Sequence, residues 1–372
     1  MTDILVIAIC IYAFIYVLFT VIITMGEKRV KSRELPSELP NVSVVICARN
    51  EEKDIRRCLD SLMRLDYPAD KLEILIVDDE SEDSTMDIFK EYAERNTVFR
   101  VLSTAGEPHD LPAKQRPLNL GIRQSKGEIV LVTDADIAVR PGWIKGHLSA
   151  YHEHIGIAGG TTRIDVSSGN LFDRVQCCDL ITKHAVAMGC AGLGFPLSIM
   201  GNNFSFRREA YDLVGGFMGM GHSIVEDMAL MNTIVKRTKY TLGWIAEKGG
   251  VVVSTPETDL NAFIEQRRRW VNEIGDLSMI GKVMITVETL MISAFITSLI
   301  IVPWNPKPLA ATVIAWIFGY FIILTSSPGN EKNDILYIPG MLVFQMFYGI
   351  VLGWRNVFGN KKVLWKGREY GK

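Results

Sequence analysis

Three short acidic clusters carry side chains able to do chemistry: Asp78-Asp79-Glu80, Asp134-Ala135-Asp136 and Glu226-Asp227. Lys114 lies between the first two, and Gln266-Arg267-Arg268-Arg269-Trp270 follows the third. Two carboxylates one residue apart, such as Asp134 and Asp136, can share a divalent cation and leave positions open for phosphate oxygens. Gln266 and Arg269 are three apart, so on a helix they share a face and can reach one ligand together. Each cluster also has an ordinary explanation. Glu226-Asp227 reads equally as an acidic first turn, favoured by the dipole of a following helix from Met228 to Arg237. The arginines and Trp270 read as an interfacial helix, with Arg267 and Arg268 facing lipid headgroups.

The elements around these residues decide how they are presented. Val42 to Cys47, Leu72 to Val77, Phe99 to Leu102 and Ile129 to Thr133 are short apolar runs rich in β-branched residues. Between them lie amphipathic stretches at Glu51 to Leu65, Ser84 to Arg95 and around Leu118 to Gln124. Strand alternating with helix predicts an α/β fold, a mostly parallel sheet with helices on both faces. In such sheets a ligand lies beyond the carboxyl ends of the strands. Three strand ends there are polar: Ala48 to Glu52, Asp78 to Glu80, and Thr133 to Asp136. Acids crowded on one sheet edge repel each other unless a cation or a ligand's donors compensate. Past Gly159 the alternation blurs, as it would for an acceptor-binding half joined to a nucleotide-binding half. No internal repeat or low-complexity segment interrupts the chain.

Composition bounds the class. Of 372 residues 22% are charged, as in a soluble protein, yet the mean hydropathy is +0.17. A formal charge of −2 argues against a broad basic face and hence against a nucleic-acid partner. The six cysteines show neither C-x-x-C nor zinc spacing, and Cys177-Cys178 reads as apolar helix, so reduced thiols are expected. Ile4 to Met25 carries no charge and is long enough to cross a bilayer. Only Asp3 precedes it, while Lys28, Arg29, Lys31 and Arg33 follow, which predicts an outside amino terminus and a cytosolic body. Three further apolar runs, Val283 to Trp304, Leu309 to Ser327 and Ile335 to Trp354, lie near the other end. The first contains Glu288, and Pro303, Pro306 and Pro308 form the turn into the second. Three crossings would leave the tail outside, although Lys361, Lys362, Lys366, Arg368 and Lys372 favour the inside. One run is therefore expected to be re-entrant or to lie flat. The division predicted is a membrane helix at 1–27, a cytosolic body at 28–275, an interfacial helix and two to three crossings at 276–354, and a basic tail at 355–372. That makes a multi-pass integral membrane protein, in a cell's inner membrane.

An apolar strand ending on adjacent acids suits two kinds of protein. A phosphate-receiving signalling domain holds magnesium there; a nucleotide-sugar enzyme grips a nucleoside. The receiver reading fails on order. A complete strand-helix unit, residues 42–65, precedes the acid pair, and the later acceptor is Asp134-x-Asp136 rather than a lone aspartate. The ordered set of strand-end acids, Asp-x-Asp, Glu226-Asp227 and Gln266-x-x-Arg269-Trp270 ahead of a membrane segment resembles the membrane-bound enzymes of glycosyltransferase family 2. Its members include cellulose, hyaluronan and poly-N-acetylglucosamine synthases and ceramide glucosyltransferase. The likeness covers about residues 41–275 together with the membrane architecture, and it implies a GT-A-type domain.

That resemblance also implies roles. Asp78 or Asp79 accepts a hydrogen bond from the uracil of a UDP-sugar donor, with Arg49 and Glu51 lining the base pocket. Lys114 lies near the nucleotide, in "AKQRPLNLGI", where relatives carry Gly-Lys and this chain has Ala113. Asp136, backed by Asp134, holds Mg2+ or Mn2+ against the diphosphate. Asp227, beside Glu226, is the general base that deprotonates the acceptor hydroxyl, so direct displacement gives a β-linkage. Gln266 and Arg269 reach the diphosphate, Arg269 through its planar fork, and Trp270 offers a flat face to a sugar or acceptor. "GNNFSFRREAYDLVGGF", residues 201–217, resembles the acceptor-side segment. Within it Asn202 and Asn203 would meet donor-sugar hydroxyls, and Gly215-Gly216 predicts a tight turn. His184 and His222 show no ligand spacing.

The acceptor is either a membrane lipid alcohol or a growing glycan. One helix before the body and three after it make a thin channel for a polymer, whereas a lipid needs only an opening from the bilayer. Leu171 to Phe195 and the helix ahead of Glu288 could form that opening. The tail "LWKGREY" is similar to the ends of bacterial lipid and carotenoid glucosyltransferases. Single transfer to a lipid is therefore expected over processive synthesis, with an inactive membrane protein as the remote third reading.

Overall fold

Strands buried on both faces must read as nearly continuous apolar runs, and here they do. In the computed structural model, which describes residues 2–223, 225–271, 278–358, 363–365 and 368–370, these runs build one central sheet. Its strands are β1 (Val42–Ala48), β2 (Leu72–Asp78), β3 (Phe99–Ser103) and β4 (Ile129–Asp134), with β5 (Ile137–Ala138) in a smaller sheet. Further along come β6 (Ile155–Gly159), β7 (Thr162–Ile164), β8 (Asn203–Arg207), β9 (Thr241–Trp244) and β10 (Val252–Ser254). The order of the seven-stranded sheet is β3-β2-β1-β4-β8-β6-β9. All its pairings are parallel except the two made by β8, so the sheet is mostly parallel, as expected. A second sheet, β5-β10-β7, has three strands.

Alternation along β1 sends Val42, Val44 and Ile46 to one face. There they form a core with Ile74, Ile76 and Leu131 and with Ile55, Leu59, Ile88 and Phe89 of the helices Ile55–Leu62 and Thr85–Arg95. Several elements run slightly differently from the sequence pattern. The first helix begins at Ile55 rather than Glu51, because Glu51 to Asp54 form a turn that leaves the strand end. The helix Gln115–Gln124 begins three residues before Leu118, immediately after Lys114.

The chain divides into two compact units, neither continuous in sequence. The sheets belong to the unit made from Val30–Asp165, Ser198–Thr255 and Lys362–Lys372. Met1–Arg29, Val166–Leu197 and Pro256–Lys361 make the other. The stretches 166–197 and 256–271 thus group with the long terminal helices, whereas the sequence division runs through 28–275 without a break. Among the described residues, four helices of this second unit are long and apolar enough to cross a membrane: Asp3–Arg29, Met279–Ile301, Lys307–Ser326 and Asp334–Leu352. Several polar groups they carry find partners on a neighbouring helix. Tyr16 donates to Glu288 at 3.0 Å, Tyr12 to the Val287 carbonyl at 2.6 Å, and Ser326 to Glu27. Beyond residue 358 only the short strands Val363–Trp365 and Arg368–Tyr370 are described, so Lys361, Lys362, Lys366 and Lys372 lie outside the described residues.

Candidate active site

Register brings the acidic strand ends level. Ala48 of β1 pairs with Asp78 of β2, and Cys47 of β1 pairs with Asp134 of β4. Because these three strands are parallel neighbours, the loops leaving them emerge at one sheet edge. The loops are laced together. Glu82 N–H donates to the Asn50 side chain at 2.8 Å, Asn50 N–H to Ser81 at 3.1 Å, and Glu51 N–H to Thr85 at 2.9 Å. Asn50 and Glu80 adopt φ of 54° and 59°, sparsely populated for residues with a Cβ and found where a turn is forced.

Asp78 and Asp79 are nearly fully buried, at 3% and 4% exposure. Asp78 accepts from Ser81 N–H at 3.3 Å. Asp79 accepts from Thr104 at 2.9 Å and pairs with Arg116 at 3.5 Å. Arg49 donates to the Asp79 carbonyl at 2.8 Å and pairs with Glu80 at 3.9 Å. Arg116, which the sequence reading missed, is buried, also pairs with Glu80 at 3.1 Å, and donates to the Thr104 carbonyl at 2.6 Å. Its only signal was a second cation two residues after Lys114.

Lys114 is the centre of the arrangement. Its ammonium pairs with Asp134, lies 3.6 Å from Glu226, and reaches the Gly201 carbonyl at 3.4 Å. Burial opposes its charge, but Asp134 and Glu226 outweigh burial and hold its pKa well above the usual lysine value. Ala113, just before it, has φ of 46°, a conformation that glycine adopts freely and alanine does not. Gly201 packs close against Glu226 and Asp227. A Cβ built on it would lie 3.2 Å from Asp227 Oδ2 and 3.4 Å from Glu226 Oε1. Cys47 is half-buried beside them, its thiol pushed up by loss of solvent against the pull of Lys114.

Glu226 and Asp227 open the helix Glu226–Arg237, so the first-turn reading and the functional one describe the same residues. Asp227 accepts from Met228 N–H at 2.7 Å. Burial, and then the charge of Glu226, push its carboxyl up to about 7 despite that hydrogen bond. Asp136 is also pushed up to about 7, by burial and then by Asp134 and Glu51, and it accepts from Ser254 at 3.3 Å. Among the described residues no three His, Cys, Asp or Glu side chains are grouped to hold a metal by themselves. The Asp134–Asp136 pair, crowded and repelling, instead fits a hard dication that takes its remaining ligands from phosphate and water.

Asn203 departs from its expected sugar-binding role. It is fully buried, accepting from Trp143 at 2.9 Å, facing His147 at 3.0 Å, and donating to the carbonyls of Thr161 and Gly250. Its amide is used in joining β8 to the neighbouring loops, which leaves nothing for a ligand. Asn202 accepts from Thr162 at 2.8 Å and remains half-buried. Gly215 and Gly216 take φ of 75° and 58°, the tight turn expected.

With this geometry in hand, sequence comparison matches residues 43–228, half of the chain, to the family described as "Glycosyl transferase family 2". The chain belongs to glycosyltransferase family 2. Its relatives include a "Probable glycosyltransferase YdaM" of Bacillus subtilis, 31% identical over 64% of this chain and 56% of that protein. A "Beta-monoglucosyldiacylglycerol synthase" of Trichormus variabilis is 28% identical over 52% of this chain and 42% of the other. This glycosyltransferase family 2 chain thus spans about half the length of the curated relatives it matches. Among solved structures, a mannosyltransferase of Pyrobaculum calidifontis in complex with GDP-Man and Mn2+ aligns over 96% of this chain and 99% of its own. Its TM-score is 0.59 at 17% identity, a likeness of GT-A fold.

The Gln-x-x-Arg-Trp motif of this family 2 chain lies on the helix Leu260–Val271 of the second unit. Gln266 donates to Glu257 at 2.6 Å and accepts from Arg267 at 2.7 Å. The Arg269 side chain is outside the described residues. Arg267, expected at the lipid headgroups, is instead buried at 4% exposure and paired with the fully buried Asp179 at 2.9 Å. A guanidinium among apolar helices needs an anion, and Asp179, on the helix Leu171–Gly192, supplies it. Arg268 pairs with Glu265 on its own helix at 3.2 Å.

Proposed function

We propose that this chain is an inverting hexosyltransferase that moves a sugar from a UDP-sugar to a lipid alcohol of the membrane. One observation carries the reading: Lys114 joins Asp134 of Asp-x-Asp to Glu226 of Glu-Asp, so that donor-side and acceptor-side acids form one partly buried, charge-paired group. In this reading the uracil sits by Arg49, Glu51 and Asp78, with Asp79 held for it by Arg116. A magnesium or manganese ion at Asp136 and Asp134 would supply Lewis-acid neutralisation of the leaving diphosphate. Lys114 adds a fixed positive charge at the same place. Asp227, whose carboxyl titrates at about 7, takes the proton from the acceptor hydroxyl as that oxygen attacks the anomeric carbon. The bond to the diphosphate breaks on the opposite face, and a β-glycoside results. Gln266, Arg269 and Trp270 serve the diphosphate and the acceptor.

Four membrane-length helices among the described residues and a relative named "Beta-monoglucosyldiacylglycerol synthase" support a lipid acceptor over a polymer. Lys28, Arg29, Lys31 and Arg33 after the first span support a cytosolic side for the catalytic unit. The test is release of nucleoside diphosphate by the detergent-solubilised full chain, supplied with Mn2+ or Mg2+, a panel of sugar nucleotides and lipid extract. One sugar on an extracted lipid is expected. A ladder of long chains would move the assignment to a processive synthase, and no release with any donor would sink it.

A further inference from the structure

Arg267 occupies an unspecified position of Gln-x-x-Arg-Trp, yet it is tied to both named neighbours that the structure describes. One amino group donates to the Gln266 side chain at 2.7 Å. Its guanidinium lies 4.0 Å from the Trp270 ring centroid and 4.4 Å from that of Phe263. The other amino group donates to Asp179 at 2.9 Å. Asp179 is itself saturated. Its second oxygen accepts from Lys183, from Tyr348 at 2.8 Å and from Gln345 at 2.9 Å. Tyr348 and Gln345 belong to the helix Ile338–Phe358, so the carboxylate connects three helices.

Resting on the transferase reading above, we propose that Asp179 and Arg267 are a positioning pair that sets the orientation of Gln266 and Trp270 for substrate. A pair serving only to hold helices together would need the Asp179 contacts and no more. Here the same guanidinium also grips the motif glutamine and lies over the motif tryptophan. Lysine could supply the charge but not the planar fork that makes these contacts together. Asp179 thereby links a membrane-length helix to the motif helix, and acts on the reaction only through Arg267.

The experiment uses the full chain in detergent, with variants Asp179→Asn, Arg267→Gln, Asp179→Leu/Arg267→Met and Arg267→Lys. Asp179→Asn leaves the buried guanidinium without its anion, and Arg267→Gln leaves the buried carboxylate with Lys183 as its remaining cation, so each of the first two lowers the thermal midpoint; replacing both by apolar residues restores it. Lys183, whose side chain is 40% exposed, tolerates the loss of its partner. Expected of the restored double variant is amide exchange across 260–271 at least about tenfold faster than wild type, with kcat/KM down by about tenfold or more. Recovery of midpoint, exchange and turnover together would show a purely structural pair and overturn the proposal. If the double variant does not refold, Arg267→Lys decides: folded with transfer reduced about tenfold or more supports positioning, and wild-type kinetics refute it. A wild-type chain that transfers no sugar sinks the transferase reading by itself, and the exchange measurement then tests the pair alone.

Discussion

Replacing Asp227 by asparagine should raise stability while removing activity, and pH separates the two effects. An aspartate ordinarily titrates at 3.8, and burial with the neighbouring Glu226 carries this one to about 7. Between those values the folded protein holds a proton that the unfolded chain has released, so the wild type loses stability as pH rises through that window. At 1.36 kcal/mol per pH unit, the interval corresponds to roughly 4 kcal/mol above pH 7, part of it shared with Glu226. Asparagine keeps the shape and the oxygen that accepts from Met228 N–H, and it carries no charge. The thermal midpoint of Asp227→Asn should therefore match wild type near pH 4, pull ahead between pH 4 and 7, and stay ahead beyond. Nucleoside diphosphate release should fall by about 10²–10⁴-fold. The wild-type rate should itself decline as pH drops below about 7, where the base is protonated. A variant that turns over normally, or a stability gain equal at pH 4 and pH 8, would refute the reasoning.

Three further outcomes follow from the same cluster. Lys114→Met leaves Asp134 and Glu226 without their shared cation and removes the nearby positive charge that lowers the Asp227 pKa; the acid limb of the pH–rate profile should move to higher pH as turnover falls about 10²-fold or more. Ala113→Gly removes a left-handed alanine at φ of 46°, and thermal unfolding should show a gain of up to about 1 kcal/mol with activity kept. Gly201→Ala sets a methyl 3.2 Å from Asp227 Oδ2; kcat should drop while the thermal midpoint changes little, as steady-state kinetics would record.

Much of this was legible along the chain because it depends on near neighbours. Apolar runs such as Val42 to Cys47, separated by amphipathic stretches, allow few arrangements other than a parallel sheet with helices on both faces. Acids directly after those runs must then stand at the carboxyl edge, wherever the sheet goes. The apolar length of Ile4 to Met25 and its three counterparts is likewise a local property.

Partnership was not local. Lys114 reads as a nucleotide lysine, and only folding shows that it stands between Asp134 and Glu226. Arg267 reads as a lipid-facing residue until Asp179 is found beneath it. Asn203 reads as a sugar ligand until β8 carries it into the interior. Residue types and spacing determined the strands, the spans and the inventory of reactive groups, since backbone period and hydropathy act over a few residues. Tertiary structure alone decided which charge meets which and how much water each keeps. A carboxylate's pKa and a guanidinium's partner depend on what packs against them across the fold, from residues far away in the chain.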